Sequence, residues 1–130
     1  MSDNNSNKLS AEEEALYDRQ LRVWGKDAQY KLRQSSILIY RLNGLGLELA
    51  KNLCLAGIGS LTIIDDHQLN MSDIATSFTT NVEANLSKYR ALEAQETIQG
   101  FNPHVKLTIY TKPLQHYLTQ EVNFFQSFNV

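Results

Sequence analysis

The chain has 130 residues, 42% hydrophobic and 20% charged, with a net charge of −2: room for one domain of ordinary globular composition. That balance gives no electrostatic reason to expect nucleic acid or a membrane surface as a partner. The single cysteine, Cys54, excludes an internal disulfide. No apolar run approaches the roughly 18 residues of a membrane span, and the polar start MSDNNSNKLS lacks a signal peptide's apolar region, so the chain reads as reduced and intracellular.

Residues 1–9 are polar, with three asparagines, and predict a disordered N-terminus ahead of one domain over residues 10–130. Ser10 and Glu13 fit a capping box, so a helix should begin at Ala11, with Glu12, Glu13 and Glu14 suited to its dipole. Tyr17, Leu21 and Trp24 share one narrow stripe, expected to pack on the domain. Arg19 points about 160° away from that stripe, and Arg22 follows one turn on, where Asp18 can pair with it. Gly25 should stop this helix, and residues 27–34, with Ala28 and Leu32, predict a second short one.

Ile37-Leu38-Ile39-Tyr40 is β-prone without alternation, as in a strand covered on both faces. A turn with Gly44 and Gly46 follows, then a helical run over 47–56 that contains Cys54, read as a buried thiol. Gly57 and Gly59 end it, and Leu61-Thr62-Ile63-Ile64 reads as a second buried strand closing on Asp65-Asp66. Strand, glycine turn, helix, strand and acid make a βαβ unit of the nucleotide-binding kind. Asp65 lies 21 residues after Gly44, near the spacing at which an acid holds a ribose hydroxyl.

The loop departs from G-x-G-x-x-G where phosphate would lie. The first glycine makes the tight turn and the second lets backbone approach a pyrophosphate; those places hold Arg41 and Asn43, while Gly44 and Gly46 survive. The helix N-terminus still offers N–H groups, worth only roughly 0.3–1 kcal/mol per charge when exposed. The expectation is a nucleotide-binding fold without its nucleotide; the alternative is Arg41 as a phosphate ligand.

Residues 67–85 read as a long polar crossover. A helix is predicted over 86–100 with Ala91, Ala94, Ile98 and Phe101 on one stripe, broken by Asn102-Pro103. Val105, Leu107 and Ile109 alternate with polar neighbours, a strand with one wet face near the sheet edge. Thr119 is expected to cap a last helix bearing Val122, Phe125 and Phe128. At Asn129-Val130 the alternation asks for another strand, so the chain reads as a fragment, marginally stable alone. His67, His104 and His116 lack ligand spacing with each other or with Cys54, so no metal site is indicated. Asp65-Asp66 is open to a magnesium reading beside that of a cap or turn. Neither a G-x-S-x-G elbow nor a G-x-x-x-x-G-K-[ST] loop is present, and no catalytic residue is assigned.

Four segments together carry a resemblance. Tyr17-Asp18-Arg19-Gln20-Leu21-Arg22-Val23-Trp24-Gly25, the run from Asn43-Gly44-Leu45-Gly46 to Leu55-Ala56-Gly57-Ile58-Gly59, Leu61-Thr62-Ile63-Ile64-Asp65, and Arg90-Ala91 with Phe101-Asn102-Pro103 resemble the ubiquitin-like activating enzymes, whose adenylation domains are ThiF/MoeB-like. Within that family the likeness is to the smaller, non-catalytic subunits of the heterodimeric members, nearest those that activate SUMO. The resemblance implies an α/β fold, a Rossmann-like βαβ sheet with an N-terminal helix, here an incomplete ThiF/MoeB-type domain. It implies a larger catalytic partner subunit that holds ATP and Mg and the catalytic cysteine, a SUMO-like modifier met through the complex, no cofactor bound by this chain alone, and a nuclear as well as cytoplasmic location. It also gives Arg19 a role, reaching the partner's ATP in trans, with Arg22 the weaker candidate, and makes Arg41, Asn43, Gly44, Gly46 and Asp65 a degenerate nucleotide loop. Active members carry an N-R-Q-F-like segment in the crossover, whereas residues 73–78 here hold no arginine. A same-family alternative is the regulatory subunit serving neddylation. One of a different class is an NAD(P)-linked oxidoreductase, with Asp65 on ribose and Arg41 on a 2′-phosphate.

Overall fold

Uninterrupted β-prone stretches separated by helices pair in parallel, because each crossover returns the chain to the same end of the sheet. The computed structural model describes residues 8–80, 86–121 and 123–130. Its sheet has the order β1-β2-β3, with β1 Ser36–Tyr40, β2 Ser60–Ile64 and β3 Lys106–Tyr110. Both pairings are parallel and in register, Ser36 beside Ser60 and Ser60 beside Lys106. The helices are α1 Ala11–Leu16, α2 Asp18–Arg33, α3 Gly44–Ala56, α4 Met71–Thr76, α5 Arg90–Phe101 and α6 Leu114–Gln120, followed by a 3₁₀ turn at Phe124–Ser127.

Successive strand residues face opposite sides of a sheet. Ile37, Ile39, Leu61, Ile63, Leu107 and Ile109 join Leu47, Ala50 and Cys54 of α3 and Ala91, Ala94 and Ile98 of α5 in one core. The predicted α5 stripe is thus the buried one, and burial pushes the Cys54 thiol up to about 11. On the other face Tyr110 packs edge-on against Tyr117 and Phe124, with ring centres 5.3 and 5.6 Å away.

β2 is the fully covered strand. β1 is not: its first three residues are half-buried and Tyr40 is exposed, because among the described residues only the last two lie along its outer edge. There the Asn129 N–H donates to the Ser36 carbonyl at 2.7 Å and the Leu38 N–H donates to the Val130 carbonyl at 2.9 Å. The strand expected at Asn129 therefore begins beside β1. β3, as expected, is an edge strand among the described residues, but its second face is not a wet one: Thr108 and Tyr110 are half-buried there, Tyr110 beneath the aromatic rings of Tyr117 and Phe124.

The capping box forms as read. Ser10 Oγ accepts from the Glu13 N–H at 3.1 Å and Glu13 Oε2 accepts from the Ser10 N–H at 2.8 Å. The helix is not continuous to Trp24, however; it breaks at Tyr17, whose ψ of 14° ends α1 and starts α2. Tyr17 is 4% exposed but Trp24 is 43% exposed, so the packing stripe holds at its start and lifts off at its end. Gly25, at φ 82°, divides α2 where the sequence placed a stop.

Helix α3 starts at Gly44 rather than residue 47, since Asn43 Oδ1 accepts from the Gly46 N–H at 2.9 Å and caps it. The crossover is not without structure: α4 forms inside it, capped reciprocally by Asn70 and Asp73, an N-x-x-D signal that charge counting passed over. Helix α5 begins at Arg90, after Leu86. Thr119 is no cap; it sits within α6 and its hydroxyl donates back to the Gln115 carbonyl at 2.8 Å, so the helix comes earlier, with Phe124 and Phe125 in the 3₁₀ segment that follows and Phe128 just after it. The expectations for residues 1–7, 81–85 and Val122 fall outside the described residues. Of the expected tail, Lys8 is held through its carbonyl, which accepts from Arg33 at 3.0 Å.

Candidate functional site

The C-terminal ends of β1 and β2, where open α/β sheets bind ligands, border a cleft of about 320 Å³ lined by Arg41, Asn43, Asp65, Asp66, His67 and Arg90. Its floor is the turn after β1. Arg41 has φ 70°, the left-handed region that glycine enters freely and that costs other residues roughly 1–2 kcal/mol. The backbone has kept the first-glycine conformation while losing the glycine. The Arg41 guanidinium is turned outward over Tyr40, 5.5 Å from the ring centre.

Asn43 fills the second-glycine place, and its side chain takes the Gly46 N–H at the helix N-terminus. A donor that a pyrophosphate would use is committed to the chain itself. Gly46 occupies the third-glycine place. A Cβ there would lie 2.5 Å from the Arg41 carbonyl oxygen, so the close approach of α3 to the end of β1 requires glycine. Gly46→Ala should therefore push helix from strand and destabilise by about 1–3 kcal/mol, as overpacking does; a urea midpoint equal to that of the parent would contradict this. Gly44 meets Thr76 at the end of α4, whose carbonyl would lie 3.2 Å from an added Cβ, so the crossover closes over the glycine turn.

Asp65, 0% exposed, is where the structure adds most. Its Oδ2 accepts from the Leu42 N–H at 2.9 Å and from Arg90 Nε at 2.5 Å, and its Oδ1 accepts from the His67 N–H at 3.0 Å. Arg90 reaches on to Asp73 Oδ1 at 3.1 Å. Burial alone would lower the Arg90 pKa; hydrogen bonds and charge from Asp65 and then Asp73 outweigh it and hold the guanidinium above its ordinary value. The acid read as a ribose ligand is thus the centre of a buried Asp65–Arg90–Asp73 bridge. Asp66 beside it is exposed, while the Asp65 carboxylate is buried and taken up by Leu42, His67 and Arg90. Among the described residues no three His, Cys, Asp or Glu side chains gather as metal ligands.

In the sequence Arg90 carries only a family resemblance, and Asp73 lies in a segment without arginine. A signal was present: Arg90 is the only arginine after residue 41, and an acid ending a buried strand calls for a cation or hydrogen-bond donors. With the Gly46 N–H taken by Asn43 and the Asp65 carboxylate by Arg90, this cleft should not take a nucleotide tightly. Isothermal titration of the full-length protein without a partner is expected to show no ATP or NAD binding in the micromolar range, and a micromolar constant or better would overturn that.

The other sequence-assigned residues lie elsewhere. Arg19 and Arg22 stand on α2, near the opposite end of α3 from the cleft: Gln20 of the same turn donates to the Leu55 carbonyl at 2.8 Å. Arg22 pairs with Asp18 at 3.0 Å, both side chains more than half exposed, a contact worth little. Arg19 is exposed and makes no ion pair with the described residues. One turn on along α2, at i+4, stands Val23, 80% exposed, on the same helical face.

Residues 17–130 match the ThiF family. The chain is 37% identical over 123 residues to the DNA damage tolerance protein RHC31 of Saccharomyces cerevisiae, covering 95% of this chain and 34% of that protein. It is 40% identical over 107 residues to SUMO-activating enzyme subunit 1 of Dictyostelium discoideum, covering 82% of this chain and 32% of that one, and 40% identical to the protein of the same name in Homo sapiens, with coverages of 82% and 31%. The chain thus spans about a third of the length of these curated relatives. Among solved structures, PaaA superposes with a TM-score of 0.71 at 27% identity, over 86% of this chain and 38% of that one. The E. coli tRNA N6-threonylcarbamoyladenosine dehydratase superposes with a TM-score of 0.76 at 20% identity, over 88% of this chain and 48% of that one, a likeness of fold alone.

Proposed function

The chain belongs to the ThiF family, and from that premise we propose that it serves in the smaller, non-catalytic subunit of a heterodimeric SUMO-activating enzyme. The observation that carries this reading is the nucleotide loop occupied by the chain's own side chains: Asn43 on the Gly46 N–H and Arg90 on Asp65. A fold of the nucleotide-binding kind whose own loop is closed suits a scaffold better than a catalyst. The likeness to relatives named SUMO-activating enzyme subunit 1 supports SUMO as the modifier.

The reaction served is adenylation in the larger subunit. A carboxylate oxygen of the modifier C-terminus attacks the α-phosphorus of ATP, pyrophosphate leaves, and an acyl-adenylate forms; a cysteine thiolate of the larger subunit then displaces AMP to give a thioester. ATP and Mg belong to the partner. This chain contributes Arg19, whose guanidinium reaches the partner's triphosphate and stabilises charge on the departing pyrophosphate, an electrostatic role of the arginine-finger kind. In support, Arg19 is exposed, forms no ion pair among the described residues, and shares its helical face with Val23, an exposed apolar side chain of the sort a partner surface covers.

The test is reconstitution. The full-length protein is expected to elute with a larger, cysteine-bearing subunit, and the pair, but not this protein alone, to catalyse SUMO-dependent ATP–pyrophosphate exchange. Purification as a single species carrying an absorbing nicotinamide cofactor would overturn the reading in favour of an oxidoreductase.

A further inference from the structure

Helix α3 ends in carbonyls that need donors, and three come from amide side chains outside the helix. Gln20 Nε2 donates to the Leu55 carbonyl at 2.8 Å, Gln29 Nε2 to the Ala56 carbonyl at 2.8 Å, and Asn102 Nδ2 to the Cys54 carbonyl at 2.8 Å. Asn102 Nδ2 also meets the Tyr17 hydroxyl at 2.6 Å. Gln29 is fully buried and its Oε1 accepts from Trp24 Nε1 at 2.9 Å. The left-handed Gly25 turns the chain between them, so one glutamine from each half of α2 grips the same helix end.

These bonds do more than satisfy α3. Gln20 is the residue after Arg19, in the same turn, and Gln29 ties the far half of α2 to the near half through Trp24. We infer that Gln20 and Gln29 are positioning residues for Arg19: their hydrogen bonds to the last carbonyls of α3 set the azimuth and height at which α2 presents that guanidinium. This rests on the role proposed above for Arg19. The physical need is direct, since a misplacement of about 1 Å at a reacting group can cost about 10² in rate. A long arginine on an exposed helix is only as well placed as the helix itself. Amides suit the task because they give directional bonds without adding charge to the carbonyl end of α3.

The experiment uses the full-length subunit assembled with its cysteine-bearing partner, and reads ATP–pyrophosphate exchange for Gln20→Ala, Gln29→Ala, Arg19→Ala and the doubles with Arg19→Ala. Gln20→Ala is expected to lower kcat about tenfold, less than the ~10²-fold limit above, with the KM for ATP changed less than about threefold and the heterodimer intact by gel filtration. In the Arg19→Ala background the same change should alter the rate less than about twofold, the non-additivity of two residues acting through one contact. Gln29→Ala should follow the same pattern, so one poorly folding variant leaves the other to decide. Exchange at the parent rate in both glutamine variants while Arg19→Ala is slow overturns the positioning role. So does a Gln20→Ala loss of equal size in both backgrounds, which would mean a general structural effect. Parent-level exchange in Arg19→Ala itself overturns the role of Arg19 and this inference with it.

Discussion

Replacing Arg90 with alanine is expected to destabilise the protein by about 3–5 kcal/mol, the usual consequence of stranding a buried charge. Asp65 is fully enclosed, and the guanidinium meets it at Nε–Oδ2 2.5 Å and Nη2–Oδ1 3.4 Å while also meeting Asp73 at 3.1 Å. Without the cation, one carboxylate is left in the interior with only the Leu42 and His67 N–H groups, and α4 loses its tie to β2. Total stability is only about 0.05–0.15 kcal/mol per residue, so this is a large share of it. Urea or thermal unfolding is the measurement. Arg90→Lys should lie between, because a point ammonium cannot span two carboxylates as a planar fork does. Because the folded pKa of Arg90 is raised, its contribution is complete below the unfolded arginine value and is lost only as pH rises through the still higher folded one; the penalty of Arg90→Ala should not vary between about pH 7 and 10. A loss under about 1 kcal/mol would reduce the bridge to the standing of an exposed ion pair.

Arg19→Ala in the full-length subunit should slow SUMO-dependent ATP–pyrophosphate exchange roughly 10²–10³-fold, by analogy with removing one donor from an oxyanion site. Its folding should move by no more than about ±0.5 kcal/mol, as for other surface positions, and the heterodimer should elute unchanged. Tyr17→Ala should do the opposite. That ring is 4% exposed and its hydroxyl meets Asn102 at 2.6 Å, so its loss should cost about 3–5 kcal/mol, in the range of large aromatic truncations. Arg22→Ala should fall between, since Asp18 already holds that side chain at 3.0 Å. Normal exchange in the Arg19 variant would leave it a solvated arginine and the chain a scaffold only.

The residues of the loop show how far local pattern reaches. Arg41 and Asn43 in glycine positions were legible as damage, and the φ of 70° at Arg41 and the Asn43 cap on Gly46 are the form that damage takes. Asp65 was legible as a strand-end acid but not as the partner of Arg90, because nothing in a spacing of 25 residues across a crossover indicates a contact. Likewise nothing local marks Gln20 as a partner of α3, because its bond to the Leu55 carbonyl spans 35 residues.

The amino-acid sequence by itself determined the succession of strand, turn, helix and strand, the capping of α1, the stop at Gly25 and the buried stripe of α5, because each depends on side chains within a few residues of one another. Tertiary structure decided the rest. It set Asn129 and Val130 along the outer edge of β1, bound Asp65 to Asp73 through Arg90, and hung the Arg19 helix on the end of α3 by two glutamine amides. Those outcomes depend on which distant polar groups are buried together and must therefore satisfy one another, a condition that exists only once the chain has folded.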